Sequence, residues 1–454
     1  MNYTELHPIP GMAPAGPPWL LKATVFSVMA IPPYLVVEPI GASANLPEML
    51  ALGLFGLWLL STVLRLHDPV VFRHPGRAAV LLLLFASCVS YAHLFAGLSG
   101  ASTVAGRAAA DRWILLMFAA AGIAFVTTET VRTLKDARVL VRWVLAGGTV
   151  CCLVAIIQFA LHTNPVDWMK PIMVGFTDNN SGISFQERAS LMRVSGTTMH
   201  PIELGVVSAM LLPLAVWRAL YDRQGWKRLH WVVVALFILT NAMTVSRSAL
   251  IGLVIAMVVT VPFLPRTAKR WSLVLLPFGA AGLFVGVPGL LGTLFNTSTA
   301  GSSDSSITYR TEDYPLVLRM VADRPWFGTG PGTWMPVRAI DVLDNQYLLV
   351  AVTMGVIGLV GLIAYLLVPA LAALAAARGA RDGELGLLAA AAAAAGFIAT
   401  VASGTFDSLS FQVFALLLPF FIGLSGASWL MVKNQLDPRR TEPSRADAGK
   451  VPWG

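Results

Sequence analysis

Charge is scarce in this chain. Only 12% of its 454 residues are Asp, Glu, Lys or Arg, against roughly a quarter in a soluble domain. That shortage, with 56% hydrophobic residues and a mean hydropathy of +0.71, excludes an ordinary soluble globule and implies a bilayer environment. Cysteine is nearly missing as well. Cys88, Cys151 and Cys152 all lie in apolar runs, and the adjacent pair is badly placed for a structural disulfide. They read as small buried apolar residues. The seven histidines show no HxxxH or carboxylate-paired spacing, so neither a metal nor a cofactor is expected. No GxxxxGK[ST] segment occurs, which removes a P-loop. The formal charge of +8 comes without a basic–aromatic strand or a recognition-helix pattern, so no nucleic-acid partner is expected.

What is present is long apolar runs. Twelve are counted, at about 22–42, 48–64, 78–98, 112–128, 143–162, 201–217, 231–246, 248–264, 271–293, 346–371, 385–405 and 410–432. Each approaches the length that spans hydrocarbon, and none alternates as a barrel strand would. The expected fold is all-α: a polytopic membrane protein with about 12 transmembrane helices and a large external loop carrying short helices. Residues 1–21 read as a cytoplasmic N-terminal segment, 22–432 as the transmembrane domain, and 433–454 as a polar, disordered cytoplasmic tail.

Orientation follows from Lys and Arg. With twelve spans, the loops carrying Arg132–Arg142, Arg218–Arg228 and Arg266–Arg270 fall on one side with the tail. That side holds 22 of the 32 basic residues and the other holds 10. The positive-inside rule makes the richer side cytoplasmic and puts both termini there. Two loops, about 163–200 and 294–345, then lie outside, and loops of that length are commonly functional.

The second external loop has internal order. From Tyr314 onward apolar residues recur at helical spacing, which predicts a short amphipathic helix at the bilayer surface or capping the bundle. P325-W-F-G-T-G-P-G-T-W follows as a tight turn whose backbone can approach a ligand or present amides to an anion. Trp326 and Trp334 suit the headgroup zone, and could instead stack on a sugar.

Arginine recurs beside the breaks between apolar runs. Arg193 stands in R193-V-S-G-T-T-M-H-P, just before the helix that Pro201 can begin, where free amides and a guanidinium together make an anion site. Snorkelling to a lipid headgroup is the plainer account. Arg247 has only T-V-S-R-S-A as a turn between two apolar runs, a costly place unless it faces a partner or a wet cavity. Arg310 opens the predicted amphipathic helix, with Glu312 and Asp313 near enough to pair with it. Arg319, Arg324 and Arg338 fit a solvated or headgroup-facing surface. A guanidinium offers a planar donor fork and keeps its charge at low dielectric, which suits a diphosphate.

These motifs resemble the O-antigen ligase and O-antigen polymerase superfamily of bacterial polytopic membrane proteins. The matching pieces are R193-V-S-G-T, T-V-S-R247-S-A-L, Arg310 with the helix after it, P325-W-F-G-T-G-P-G, and D344-N-Q-Y-L-L-V-A-V-T-M-G-V-I-G-L-V-G. The resemblance covers most of 110–432 and is strongest over 310–361. It implies a metal-independent, inverting glycosyltransferase of the bacterial plasma (inner) membrane with an extracytoplasmic active site. Such an enzyme moves an oligosaccharide from a polyprenyl-diphosphate carrier to a glycan hydroxyl. It also implies a flippase or chain-length regulator as partner. By motif, Arg193 and Arg310 bind the carrier diphosphate, with Arg247, Asn345 and Trp326 as further substrate-binding candidates.

One departure matters. Relatives commonly carry His-Asn where this chain has Asp344-Asn345. A carboxylate can take the acceptor proton, so Asp344 is the candidate base. His200 and Glu187 are spare candidates, and Asn345 also suits a helix cap. Two other function classes fit twelve helices: a solute transporter, and a non-enzymatic scaffold of a polysaccharide assembly complex. A transporter would concentrate ionisable or discontinuous elements near the membrane midplane. Here the polar residues gather at the outer end.

Overall fold

The computed structural model describes residues 16–37, 44–100, 102–188, 191–272, 317–335 and 343–436. The expected span at 271–293, all but its first two residues, lies outside them. So do Arg310, Arg338 and residues 437–454 of the tail.

The described chain is overwhelmingly helical. In order it forms α1 (Trp19–Ala30), α2 (Leu46–Val63), α3 (Pro75–Phe95), α4 (Val104–Thr130), α5 (Leu134–Leu161), the one-turn α6 (Val166–Met169), α7 (Pro201–Tyr221), α8 (Lys227–Met243), α9 (Arg247–Thr260), α10 (Gln346–Gly379), α11 (Gly383–Ala402) and α12 (Gln412–Leu436). Eight helices among the described residues are long and apolar enough to cross a membrane: α2, α3, α4, α5, α7, α10, α11 and α12. The shorter α1, α8 and α9 stand at the other apolar runs. Connections of three residues join α4 to α5, α8 to α9 and α10 to α11, which leaves room only for reversal of direction. The bundle therefore has a basic end, where Arg132–Arg142, Arg218–Arg228 and Arg378–Arg381 lie, and an opposite loop end.

Small residues set the centre. In α11, Ala389 to Ala395 are all at most 2% exposed, and this helix packs against α7, α9, α10 and α12. Alanine and glycine let helix backbones approach where lipid offers no hydrophobic drive for association. A Cβ on Gly396 would stand 2.7 Å from that of Ala370 on α10. At the basic end, arginines tie helices together. Arg138 of α5 makes a forked bond to Glu384 of α11 at 2.8 and 2.6 Å. Arg142 grips Asp222 after α7 at 2.7 and 2.6 Å. Arg77 of α3 reaches Glu129 of α4 at 3.1 Å.

The main irregularity is in α10. Gly355 leaves helical geometry (φ 65°, ψ −163°), and the glycine-rich 325–332 segment docks at that break. Thr329 N and Gly330 N donate to the carbonyls of Val352 and Thr353 at 3.3 and 2.8 Å, and Val356 N donates to Pro325 O at 2.8 Å. Ser90 Oγ of α3 donates to Phe327 O at 2.7 Å. Gly328, Gly330 and Gly332 all have positive φ, a conformation glycine adopts without strain. The segment expected to show its amides to an anion thus gives two of them to α10. Residues 317–323 are helical, in line with the periodicity read there. Val317 packs with Leu343 and Val352, and Met320, Val321 and Trp334 lie against them, so this helix caps the bundle.

Short strands qualify the all-α expectation. The first long loop folds as β3 (Phe185–Arg188) paired antiparallel with β4 (Leu191–Val194), with Gln186 opposite Arg193. Before it, β2 (Thr177–Asp178) pairs with β1 (Leu35–Val36) behind α1. Apolar-run length carries no information about elements this small.

Candidate functional site

Polar side chains converge at the loop end. Arg193 projects from β4, 4% exposed. Its Nε donates to Thr244 O at 2.7 Å and Nη1 to Gln186 Oε1 at 2.9 Å. The hairpin fixes one side of the guanidinium and the α8–α9 turn fixes the other. That turn, Thr244–Ser246, is tight: Val245 takes a positive φ of 45°. The turn delivers Arg247 as the first residue of α9, so the two arginines flank one three-residue turn although 54 positions separate them in sequence. Close helix approach makes this work, since a Cβ on Gly205 would meet Ala249 Cβ at 2.5 Å and Thr244 Oγ1 at 2.8 Å.

His200 N-caps α7, its Nδ1 accepting from Ile202 N at 3.1 Å. That bond leaves the neutral ring's proton on Nε2, which makes Nε2 a donor. Burial, then the nearby charge of Arg193, push the imidazole down to about 4, so it is neutral at pH 7. Glu187 lies in β3 opposite Met192.

Ser248, next to Arg247, hydrogen-bonds Thr405 side chain to side chain at 2.9 Å. Thr405 belongs to the short connection between α11 and α12. Asn345 reaches the same connection, Nδ2 to Gly404 O at 3.4 Å, while its Oδ1 caps α10 by accepting from Tyr347 N at 2.9 Å and Leu348 N at 3.3 Å. The helix-cap account of Asn345 is therefore observed. Gln346 completes the joint: its N donates to Ser403 O at 2.9 Å and its Oε1 accepts from Leu409 N at 2.8 Å. Asp344, exposed, sits at the head of this joint.

Two acids not singled out from sequence belong here. Asp407 lies in the α11–α12 connection, and its carboxyl is pushed up to about 6, chiefly by burial, with the negative charge of Asp344 adding to the rise. Glu203 is fully buried and accepts from Met199 N at 2.8 Å and Phe414 N at 2.9 Å, locking the start of α7 to the start of α12. A lone acid in a short loop between two apolar runs was the available signal for Asp407. Glu203, three residues into a helix, reads from sequence only as a favourable charge at an N-terminus.

The structure thus brings Arg193, His200, Arg247, Asp344, Asn345 and Asp407 to one end of the bundle. Trp326 is 62% exposed, its backbone at the α10 break. Among the described residues no group of three or more His, Cys, Asp or Glu is arranged to hold a metal.

Residues 232–363 match a protein-family model described as O-antigen ligase. The matched stretch runs from α8 into α10 and takes in the α8–α9 turn, Arg247, the glycine-rich segment, Asp344 and Asn345. It supports the O-antigen ligase and polymerase superfamily resemblance carried by the motifs, and with it a multi-pass membrane protein of polysaccharide biosynthesis. No curated protein matches the chain.

Proposed function

We propose that this protein transfers an oligosaccharide from a polyprenyl-diphosphate carrier to a glycan hydroxyl at the outer face of the bacterial plasma membrane, as a polysaccharide polymerase or ligase. The observation that carries the reading is the loop-end constellation. Two arginines flank the α8–α9 turn, and that turn is tied through Ser248 and Thr405 to the connection that holds Asp407 beside Asp344.

The chemistry follows from those groups. Arg193 and Arg247, with Arg310 from the loop that carries it, hold the donor diphosphate. A carboxylate, Asp344 or its neighbour Asp407, takes the proton of the acceptor hydroxyl. The oxygen attacks the anomeric carbon, the bond from that carbon to the diphosphate oxygen breaks, and the configuration inverts. The guanidinium charges meet the negative charge growing on the leaving diphosphate, so the step needs no metal. A carboxyl raised to about 6 is a better base than an ordinary one and is still ionised at pH 7. His200, its Nε2 protonated, donates to a sugar or phosphate oxygen.

The break in α10 bears on the transporter alternative. Discontinuous transporter helices turn unwound carbonyls on an ion. Here the Val352 and Thr353 carbonyls face the amides of Thr329 and Gly330.

The test is purified protein with a polyprenyl-diphosphate oligosaccharide and a glycan acceptor in EDTA, the product measured by mass. A lengthened or transferred glycan is expected. Asp344→Asn and Asp407→Asn identify the base, by loss of transfer with donor binding kept. No transfer from any glycan donor, with solute movement across vesicles, would replace this reading with the transporter.

A further inference from the structure

At the basic end, remote from the loop-end site, there is a cavity of about 560 Å³, within the range of small-molecule sites. Its walls come from the start of α3, the 3₁₀ turn Pro69–Phe72 that precedes it, and Trp429 near the end of α12. The lining is graded. Arg73 is exposed at the rim. Ala78 and Leu81 continue along α3 into the apolar layer, both exposed although the bundle lies beside them. At about 1.5 Å rise per residue, Leu81 stands roughly 9 Å deeper than Pro75. Half-buried Trp429 stands opposite, a residue type enriched at the headgroup level.

The two arginines of the lining play different parts. Arg77 is turned inward: Nη1 donates to Pro69 O at 2.7 Å and pairs with Glu129 at 3.1 Å, and its guanidinium lies 4.9 Å from the Phe125 ring. It supplies wall and its charge is matched. Arg73 has no hydrogen-bond or ion-pair partner among the described residues. A cation at the rim, with an apolar trough leading away from it along a membrane helix, matches an anion that carries a hydrocarbon chain. A free anion would leave the trough unfilled, and a neutral lipid would leave Arg73 unmatched.

We propose that this cavity binds one anionic phospholipid of the leaflet facing the basic loops, its phosphate at Arg73 and the start of an acyl chain along Val70, Ala78 and Leu81. The site is independent of the transfer reaction. Its role is to hold the α2–α3 connection and the ends of α3 and α12 in register with the bilayer.

The test uses the delipidated full-length protein, titrated with dioleoylphosphatidylglycerol, dioleoylphosphatidylcholine or inorganic phosphate, with bound species counted by native mass spectrometry. One phosphatidylglycerol should bind with clear preference over phosphatidylcholine, and inorganic phosphate should not displace it. Arg73→Gln should weaken that binding about fivefold, the worth of one basic residue near an anionic lipid surface. Leu81→Trp should abolish it by filling the trough. Arg65→Gln, an exposed charge of the same connection outside the cavity, should leave it unchanged. Equal loss in Arg65→Gln and Arg73→Gln would reduce the effect to general surface charge and overturn the site. Equal binding of phosphatidylcholine, or displacement by inorganic phosphate, would overturn the lipid assignment.

Discussion

Gly355 and Trp326 meet so closely that a Cβ on Gly355 would stand 2.5 Å from the Trp326 carbonyl carbon and oxygen. The contact joins a break in a membrane helix to a turn from the second long loop. The helix break and the turn each need a glycine, since Gly328 of the turn faces the Thr353 backbone just as tightly and also has a positive φ.

Gly355→Ala and Gly328→Ala are therefore expected to destabilise the protein by about 2 kcal/mol or more, through strain and overpacking together. Thermal unfolding in detergent measures this. Gly56→Ala in α2, where an added Cβ meets nothing within 4 Å, should melt at or above the wild-type temperature.

Arg193→Lys should fail nearly as badly as Arg193→Ala in glycan transfer. Lysine keeps the charge but cannot bond Thr244 O and Gln186 Oε1 and still present a donor fork. A loss of about 10²–10³ in turnover is expected if the guanidinium stabilises the leaving diphosphate. Near-normal turnover in Arg193→Lys would remove Arg193 from the diphosphate site.

Asp407 and His200 predict opposing pH effects in one window. The Asp407 carboxyl, at about 6 when folded, keeps a proton that the unfolded chain releases near 4, so its contribution to stability is lost as pH rises through 6. His200, at about 4 when folded, is protonated first in the unfolded chain, so its contribution is lost as pH falls from about 6.5 toward 4. Asp407→Asn isolates the first effect: the variant should melt above wild type at pH 7.5, and the gap should close by pH 4. A gap independent of pH would contradict the raised carboxyl.

Orientation has a direct test. Ile172, 80% exposed in the first long loop, should be labelled from the extracytoplasmic side as Ile172→Cys. Arg223→Cys, in the exposed α7–α8 connection, should be labelled only after permeabilisation. The reverse pattern would invert the charge-based topology and move the proposed active site to the wrong face.

Much of this architecture was legible in the sequence. Apolar runs located the helices because a span must satisfy its own backbone over a fixed thickness. Pro201 and Asn345 marked helix starts, and breaks between runs pointed to Arg193 and Arg247. The glycine-rich segment was readable as a tight turn, but its docking on α10 was not, because that contact joins backbones far apart in sequence. The β3–β4 hairpin escaped for a different reason: its partners are close in sequence, but two four-residue strands are too short to leave a readable alternation of polar and apolar residues. Asp407 was missed because its significance comes from Asp344 beside it, more than 60 residues away in the chain.

The forked pairs Arg138–Glu384 and Arg142–Asp222 have a consequence for how the topology of such a protein can be studied. On the charge-based topology these arginines belong to the basic charges that decide which way the chain inserts, yet Arg138 is clamped to an acid on another helix and Arg142 to one just after another helix. The same guanidinium acts first as a signal during insertion and later as a fastener. Neutralising it to ask about insertion would also loosen the assembled helices, so a misoriented product and a correctly inserted but unstable one would both be missing from the membrane. Exchanging the partners, Arg138→Glu with Glu384→Arg, separates the two roles, because it keeps the fastener and moves the signal to a different loop.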